Sequence, residues 1–485
     1  MTARSRIAAS AAAILIGGLW IGSLHAEETT RKVLRAGAYA ADITPAYFPV
    51  SSSGNMSDRQ ATEAHDPLHA RCLVLHNGET SLAFVVCDNC MIPRDIFDAA
   101  KTLASERTGI PADHMLMSAT HCHSGVTVTG VFQSEPEPEY REFLVQRIAD
   151  GIEQAHKQYQ LARIGWATAE DATQVFNRRW FTKPGAENRD PFGGTTDRVR
   201  MNPGFSKDIN DRPSGPIDPQ ISMLAVQNLD GVPIALLANY SLHYVGGVEG
   251  PALSADYFAE FASLMGQKIG APGSFVGIMS NGTSGNINNV NYGADSYLSK
   301  PPYEQMRLVA ASVADAAYAA YLGIEYHDWV PLAAEQTELS LGVRLPSEDD
   351  LAAAKATLEA AGPGPYSTLE QIYARESVLL SQYPPEVRSI VQALRVGDVG
   401  IVGIPCETFV ETGLAIKESS PLKRTFCISL ANGYNGYLPT PEHHEWGGYE
   451  TWRARSSYLA VDAEPAVRAT ALELLGRLIE EPGNR

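Results

Sequence analysis

Residues 221–240 read Ile-Ser-Met-Leu-Ala-Val-Gln-Asn-Leu-Asp-Gly-Val-Pro-Ile-Ala-Leu-Leu-Ala-Asn-Tyr. Two β-prone apolar runs, 221–229 and 233–240, flank Asp230-Gly231, a pair suited to the positive φ angles of a tight hairpin turn. The second run leads into His243. Two more hairpins carry the same signature: 73–75 with 81–87 around Asn77-Gly78, and 389–396 with 399–405 around Gly397-Asp398. Three hairpins require antiparallel pairing, which excludes a purely parallel sheet.

Outward from the hairpins, helical periodicity covers residues 94–107, 139–158, 254–269, 308–321 and 464–480, with strand-like runs at 37–45, 114–119, 162–167, 274–279, 329–343 and 427–430. The expected fold class is α/β, with mixed sheets flanked by helices. A two-helix insertion is expected near 347–383: Ser347 and Asp350 resemble a capping pair, Gly362-Pro363 stops the first helix, and Ser367 with Glu370 reads as a second capping box. Residues 180–216 are rich in Gly, Pro, Asn, Asp and Arg and read as a long loop, a lid or substrate rim. No internal repeat or low-complexity tract is visible in the sequence.

The first 26 residues read as a secretory signal peptide, with Arg4 and Arg6 before an apolar core over 11–21 that is too short for a good membrane span. The mature chain is thus expected to be secreted or periplasmic, without a transmembrane segment. Losing Arg4 and Arg6 takes the formal charge from -18 to -20. A balance this acidic argues against a nucleic-acid partner, whose binding rests on phosphate neutralisation. The six cysteines permit disulfides in an exported chain but are too few to be its main framework.

The chemistry gathers at strand ends. Residues 118–125 read Ser-Ala-Thr-His-Cys-His-Ser-Gly. On an extended strand His121 and His123 share one face, Cys122 takes the other, and paired imidazoles are a common start to a zinc site. Other strand ends deliver His243, Glu407 and the Tyr434/Tyr437 pair, and α/β folds gather their sites at such ends. Histidines with a carboxylate suit zinc better than copper(I) or an iron–sulfur cluster. Asp256 is a candidate carboxylate for fixing a histidine tautomer. A rival chemistry is thiol–disulfide exchange through Cys87-Asp88-Asn89-Cys90, a C-x-x-C between strand and helix.

Taken together, these blocks resemble the neutral (non-lysosomal) ceramidases over most of the mature chain. Ala119–Gly125 is similar to the family's A-T-H-T-H-S-G block, Asn177-Arg178 to its N-R-S block, and Gly403-Ile404-Pro405-Cys406-Glu407 to its P-G-E-F block. Residues 432–440 followed by Tyr449-Glu450 resemble N-x-Y-x-x-Y and a later Y-E pair, and Asp42-Ile43-Thr44-Pro45 opens the match. The resemblance implies a ceramidase-like catalytic domain over 27–485 that lacks a C-terminal β-sandwich domain. It also implies Zn2+ held by His121, His243, Glu407 and Tyr437, with His123, Arg178 and Tyr449 on the substrate side. The implied activity is zinc-dependent cleavage of an N-acyl amide in a small-molecule or lipid-like substrate.

One departure bears on mechanism. The family's G-D-x-S-P-N block aligns with residues 285–289, so the position of its nucleophilic serine is Asn288, and Ser284 lies four residues away. An amide is no nucleophile; Asn288 is left as a hydrogen-bond donor to an oxyanion, with water as the attacking group. A substrate other than ceramide is expected, cleaved at an amide or, on the same site, an ester. A zinc-containing binding protein without turnover is the non-enzymatic alternative.

Overall fold

The computed structural model describes residues 32–480; the expected leader over 1–26 lies outside them. Twelve strands build its two main sheets. In chain order they are β1 (Leu34–Asp42), β2 (His69–His76), β3 (Ser81–Cys87), β4 (Met115–Ala119), β5 (Gln160–Glu170) and β6 (Gln220–Asn228), then β7 (Pro233–Tyr240), β8 (Val276–Asn281), β9 (Leu332–Gly342), β10 (Glu386–Val396), β11 (Val399–Gly403) and β12 (Arg424–Ile428). The helices are α1 (Arg94–Thr108), α2 (Pro138–Lys157), α3 (Asp256–Lys268), α4 (Glu304–Tyr321), α5 (Glu348–Ala361), α6 (Leu369–Leu380), α7 (Val410–Ser419), α8 (Pro441–Trp446) and α9 (Ala463–Arg477).

The first eight strands form one mixed sheet in the order β8-β7-β6-β5-β1-β2-β3-β4, and the last four form a second, β9-β10-β11-β12. All three expected hairpins are present. In the 221–240 hairpin Met223 faces Ala238 and Leu224 faces Leu237, and Gly231 turns the corner at φ 81°, where a side chain would be strained.

Although the sequence shows no repeat, the topology has one. Each unit is an antiparallel strand leading a hairpin, a helix, a strand parallel to the hairpin's second arm, and a closing helix. The first is β1-β2-β3-α1-β4-α2 and the second β5-β6-β7-α3-β8-α4; β9-β10-β11-α7-β12-α9 completes the set. The same pairings recur in the second and third units. The repeat escapes the sequence because it constrains only where apolar residues alternate and where chains turn, and many residue choices satisfy that.

A central core lies between the sheets, drawing Leu73 and Phe84 from the first unit, Leu224 and Leu237 from the second, and Ile401 and Phe426 from the third. Helices α1 and α2 cover one half of the large sheet through Ile96, Phe97, Leu144 and Ile148. Helices α3 and α4 cover the other half through Phe258, Phe261, Val309 and Val313, and α9 packs Val467 and Leu474 on the small sheet.

The longest connection in each unit lies between its first and second strands. In the third unit that connection holds α5 and α6. Ser347 and Asp350 form a capping box on α5, but α6 is capped by Thr368, which accepts from Gln371 N, and not by Ser367. Ser367 is one residue early because Thr368 has the extended backbone that an N-cap requires. In the second unit, residues 180–216 are not the structureless loop expected. Strands Arg179–Thr182, Val199–Met201 and Asn210–Pro213 pair there into a small sheet, which satisfies backbone groups that a bare loop would leave to water.

Candidate metal centre

Three strand exits converge on one buried cluster. His121 lies two residues beyond β4, His243 three beyond β7, and Glu407 four beyond β11. His121 Nε2 is 3.0 Å from His243 Nε2 and 3.1 Å from Glu407 Oε2, and the second histidine is 3.9 Å from the same oxygen. All three side chains are buried. Zinc–ligand bonds of about 2.0–2.1 Å in a tetrahedron put neighbouring donors about 3.3 Å apart, so these separations bracket the spacing a divalent ion needs.

Both imidazoles are oriented by backbone. His121 Nδ1 donates to Cys90 O at 2.7 Å and His243 Nδ1 to Ser284 O at 3.0 Å, which turns each Nε2 inward. Asp256, the carboxylate expected to do this, does not. It accepts from Val245 N and Gly246 N and holds the chain just past His243; burial pushes its carboxyl up to about 6 against those backbone bonds. Glu407 is fixed by Tyr434, whose hydroxyl donates to Oε1 at 3.0 Å, while Oε2 accepts no hydrogen bond and faces the imidazoles. Such an orphaned buried oxygen beside two converging nitrogens is what a cation would satisfy. Burial, then Arg178, keeps His243 well below the usual imidazole range, the neutral form that ligates. Burial opposes charge at both His121 and Glu407, yet each is shifted toward its charged form by the other, so the pocket favours a cation beside the carboxylate.

Strand alternation does not bring His121 and His123 together. The strand ends at Ala119, and His121 has φ 71°, a left-handed conformation that swings its ring toward the cluster. His123 Nε2 reaches 3.2 Å from His121 Nε2, and its ring stacks on Tyr244 at 3.6 Å. Gly54 backs it so closely that a Cβ would lie 2.6 Å from the ring. Cys122 turns away into the core around Tyr240 and Phe261.

Arg178 borders the donors. Its Nη2 donates to Tyr437 Oη at 3.0 Å and to Gly285 O at 2.7 Å, while Nη1 lies 3.4 Å from His243 Nε2. Burial alone would disfavour its charge, but Tyr437 and Glu450 raise it, so the guanidinium stays cationic. Sequence reasoning assigned no role to Glu450. Fully buried, it accepts from Arg178 Nε at 3.0 Å and Arg179 Nη1 at 2.6 Å. Only its place beside Tyr449 hinted at it. The Tyr449 ring stands edge-on to Tyr437, 5.8 Å between centroids.

His121, His123, Glu407, Tyr437 and Tyr449 line a cavity of about 30 Å³ with Cys90 and Gly54. A water needs at least about 10–15 Å³, so an ion and a water fit. A larger cavity of about 420 Å³ lies elsewhere, against His69, Arg71 and Glu260, and holds no comparable donor set.

Asn288 is not brought to this cavity. Its amide donates to Asn202 Oδ1 at 2.9 Å and its oxygen accepts from Val290 N, which commits it to the 180–216 segment. Ser284 Oγ sits 3.4 Å from Nδ1 of His243, behind the ring from Nε2. Thiol exchange has no support here. All six cysteines are free and buried, and burial pushes the Cys87 thiol well up, opposite to an exchange nucleophile. Among the described residues no helix is long and apolar enough to cross a membrane.

No protein-family model matches the sequence, and no curated protein sequence does. Solved structures do match the fold. Neutral ceramidase from Pseudomonas aeruginosa aligns with TM-score 0.69 at 19% identity, over 93% of this chain and 76% of its own. A ceramidase complexed with C2 aligns with TM-score 0.70 at 16% identity, over 92% and 75% of the two chains. In fold, this chain is similar to the neutral ceramidases.

Proposed function

We propose that this protein is an exported, zinc-dependent hydrolase that cleaves an N-acyl amide bond by attack of water. The observation that carries this reading is the convergence of His121 Nε2, His243 Nε2 and Glu407 Oε2, with an orphaned carboxylate oxygen, beside a cavity that His121 and Glu407 line and that has room for an ion and a water. The ceramidase fold supports the amide class. His121, His243 and Glu407 would hold the ion, with Tyr437 as the fourth donor. Bound there, zinc supplies Lewis-acid chemistry, polarising a carbonyl and acidifying water.

The chain's own residues divide the remaining work. Arg178 and Tyr449 flank the donors and would stabilise the negative charge that develops on the carbonyl oxygen. His123, neutral because burial and then His121 lower its pKa, accepts a proton at Nε2 and returns it to the leaving nitrogen. With asparagine at 288, and Ser284 behind His243, no serine attack is invoked. Beyond Tyr449 a second cavity of about 240 Å³ is lined by Asn188, Asp197 and Arg200 as well as Met201 and Trp452. Most of the surface it offers is apolar, from Met56, Val199, Met201, Leu369 and the aromatic rings, which suits the acyl portion of an N-acyl substrate. Export rests on the leader-like residues 1–26.

The test is zinc stoichiometry on the mature chain, with hydrolysis of N-acyl and ester panels before and after chelation. One zinc per chain and chelator-sensitive amide turnover are expected. His243→Ala should lose metal and turnover together, and with them the thermal stabilisation that zinc gives the wild type, about 4 kcal/mol at a thousand times Kd. Full activity in His243→Ala would refute the assignment, and zinc without turnover across the panel would point to a binding protein.

A further inference from the structure

The threefold repeat of the fold singles out a residue that the hydrolytic reading leaves unused. In each unit the hairpin's second arm, β3, β7 or β11, ends at Cys87, Tyr240 or Gly403. Three or four residues further on stand Cys90, His243 and Glu407. Two of these supply donors to the cluster described above. The third, Cys90, is fully buried and lines the same cavity.

Its thiol Sγ lies 3.7 Å from His121 Nδ1, and its own carbonyl already accepts from that nitrogen at 2.7 Å. The ligand atoms of Cys90, His121 and His123 all fall within 4.8 Å of one another. Nε2 of His123 lies 3.2 Å from Nε2 of His121. Zinc bonds of about 2.0–2.1 Å to N and about 2.3 Å to S put donors about 3.3–3.5 Å apart, and a larger soft ion spaces them wider.

We propose that Cys90, His121 and His123 form a second metal site that takes a soft divalent ion such as cadmium. Thiolate and imidazole donors select such ions, whereas the His121–His243–Glu407 set, with its carboxylate, suits harder ones. On binding, the thiol releases its proton to solvent and the sulfur lone pair forms the bond to the ion, so no oxidant or reductant is involved. The two sites share His121 and exclude each other. Where the zinc reading under Proposed function holds, a soft ion therefore inhibits by drawing His121 away from His243 and Glu407.

The experiment titrates cadmium into the zinc-loaded full chain, following the ultraviolet sulfur-to-metal band, zinc release and hydrolysis together. Expected is a thiolate band saturating at one cadmium per chain, with one zinc released and turnover lost in parallel. Cys90→Ala should lack the band and bind cadmium at least tenfold more weakly while still taking up zinc. His123→Ala should keep the band but weaken cadmium. Should Cys90→Ala fail to fold, Cys90→Ser serves, since a hydroxyl gives no such band. Cadmium uptake without a band, a band that survives loss of the Cys90 thiol, or cadmium bound while zinc stays in place would each overturn the proposal. If the starting protein holds no zinc or hydrolyses nothing, the hydrolase reading fails by itself, and the band still decides this one.

Discussion

Glu450→Gln probes how the site holds its positive charge. Glu450 is fully buried and is the carboxylate that meets both Arg178 and Arg179, whose side chains are 5% and 0% exposed. Glutamine is nearly isosteric and keeps one acceptor, but it leaves two buried guanidinium charges without their counter-ion. Breaking a buried pair in this way costs about 3–5 kcal/mol. Arg179 retains Gly447 O at 2.6 Å, so the larger displacement falls on Arg178, which loses the anchor at Nε that aims its fork at Tyr437 and Gly285. Losing one preorganised oxyanion donor costs about 3 kcal/mol, on the order of a hundredfold in kcat. The assay is steady-state kinetics on the zinc-loaded protein, with zinc stoichiometry and thermal unfolding in parallel. The expected result is a roughly hundredfold lower kcat, a KM within a few-fold, and one zinc per chain, with partial recovery in Glu450→Asp. A kcat within twofold of wild type at a lowered melting temperature would refute the reasoning, because Glu450 would then only support the fold.

Asn288→Ala should leave zinc binding intact and lower kcat/KM by less than about tenfold, since its amide holds Asn202 of the 180–216 segment through one neutral hydrogen bond; a larger loss would bring Asn288 back to the reacting centre. Lys101 is buried with its Nζ on Asn432 Oδ1 at 2.7 Å, and burial lowers its pKa from 10.5 to about 8. The unfolded chain then binds more protons between those values, so wild-type stability should rise as pH climbs from 8 toward 10.5. Lys101→Met should be more stable than wild type by up to about 3 kcal/mol below pH 8, the gap closing at higher pH, as denaturant melts across that range would show. Ser347→Ala removes the acceptor for Asp350 N in the capping box of α5 and should cost about 1 kcal/mol without changing turnover, read by urea unfolding and the same hydrolysis assay.

The sequence by itself determined the parts of this protein governed by local rules. Asp230-Gly231 and Gly397-Asp398 specify turns because few residues tolerate the backbone a tight hairpin needs, and alternating or 3.6-residue apolar periods specify which element lies between turns. The α/β class and mixed sheets followed from that punctuation, as did the strand-end placement of His121, His243 and Glu407. Caps were legible only to within a residue, as Thr368 in place of Ser367 shows, because neighbouring hydroxyls compete and the backbone at the helix entrance decides.

Tertiary structure decided what depends on contacts between distant segments. Only the folded chain sets Cys90 O and Ser284 O, in place of Asp256, behind the two imidazoles, and only there does one carboxylate, Glu450, meet two consecutive arginines. The approach of His121 and His123 depends on a left-handed backbone at a non-glycine residue, a strain that the packed surroundings must impose. The threefold repeat belongs to the same class. Packing constrains volume and direction more tightly than residue identity, so three units share a topology and a set of strand exits without any repeat visible in the sequence.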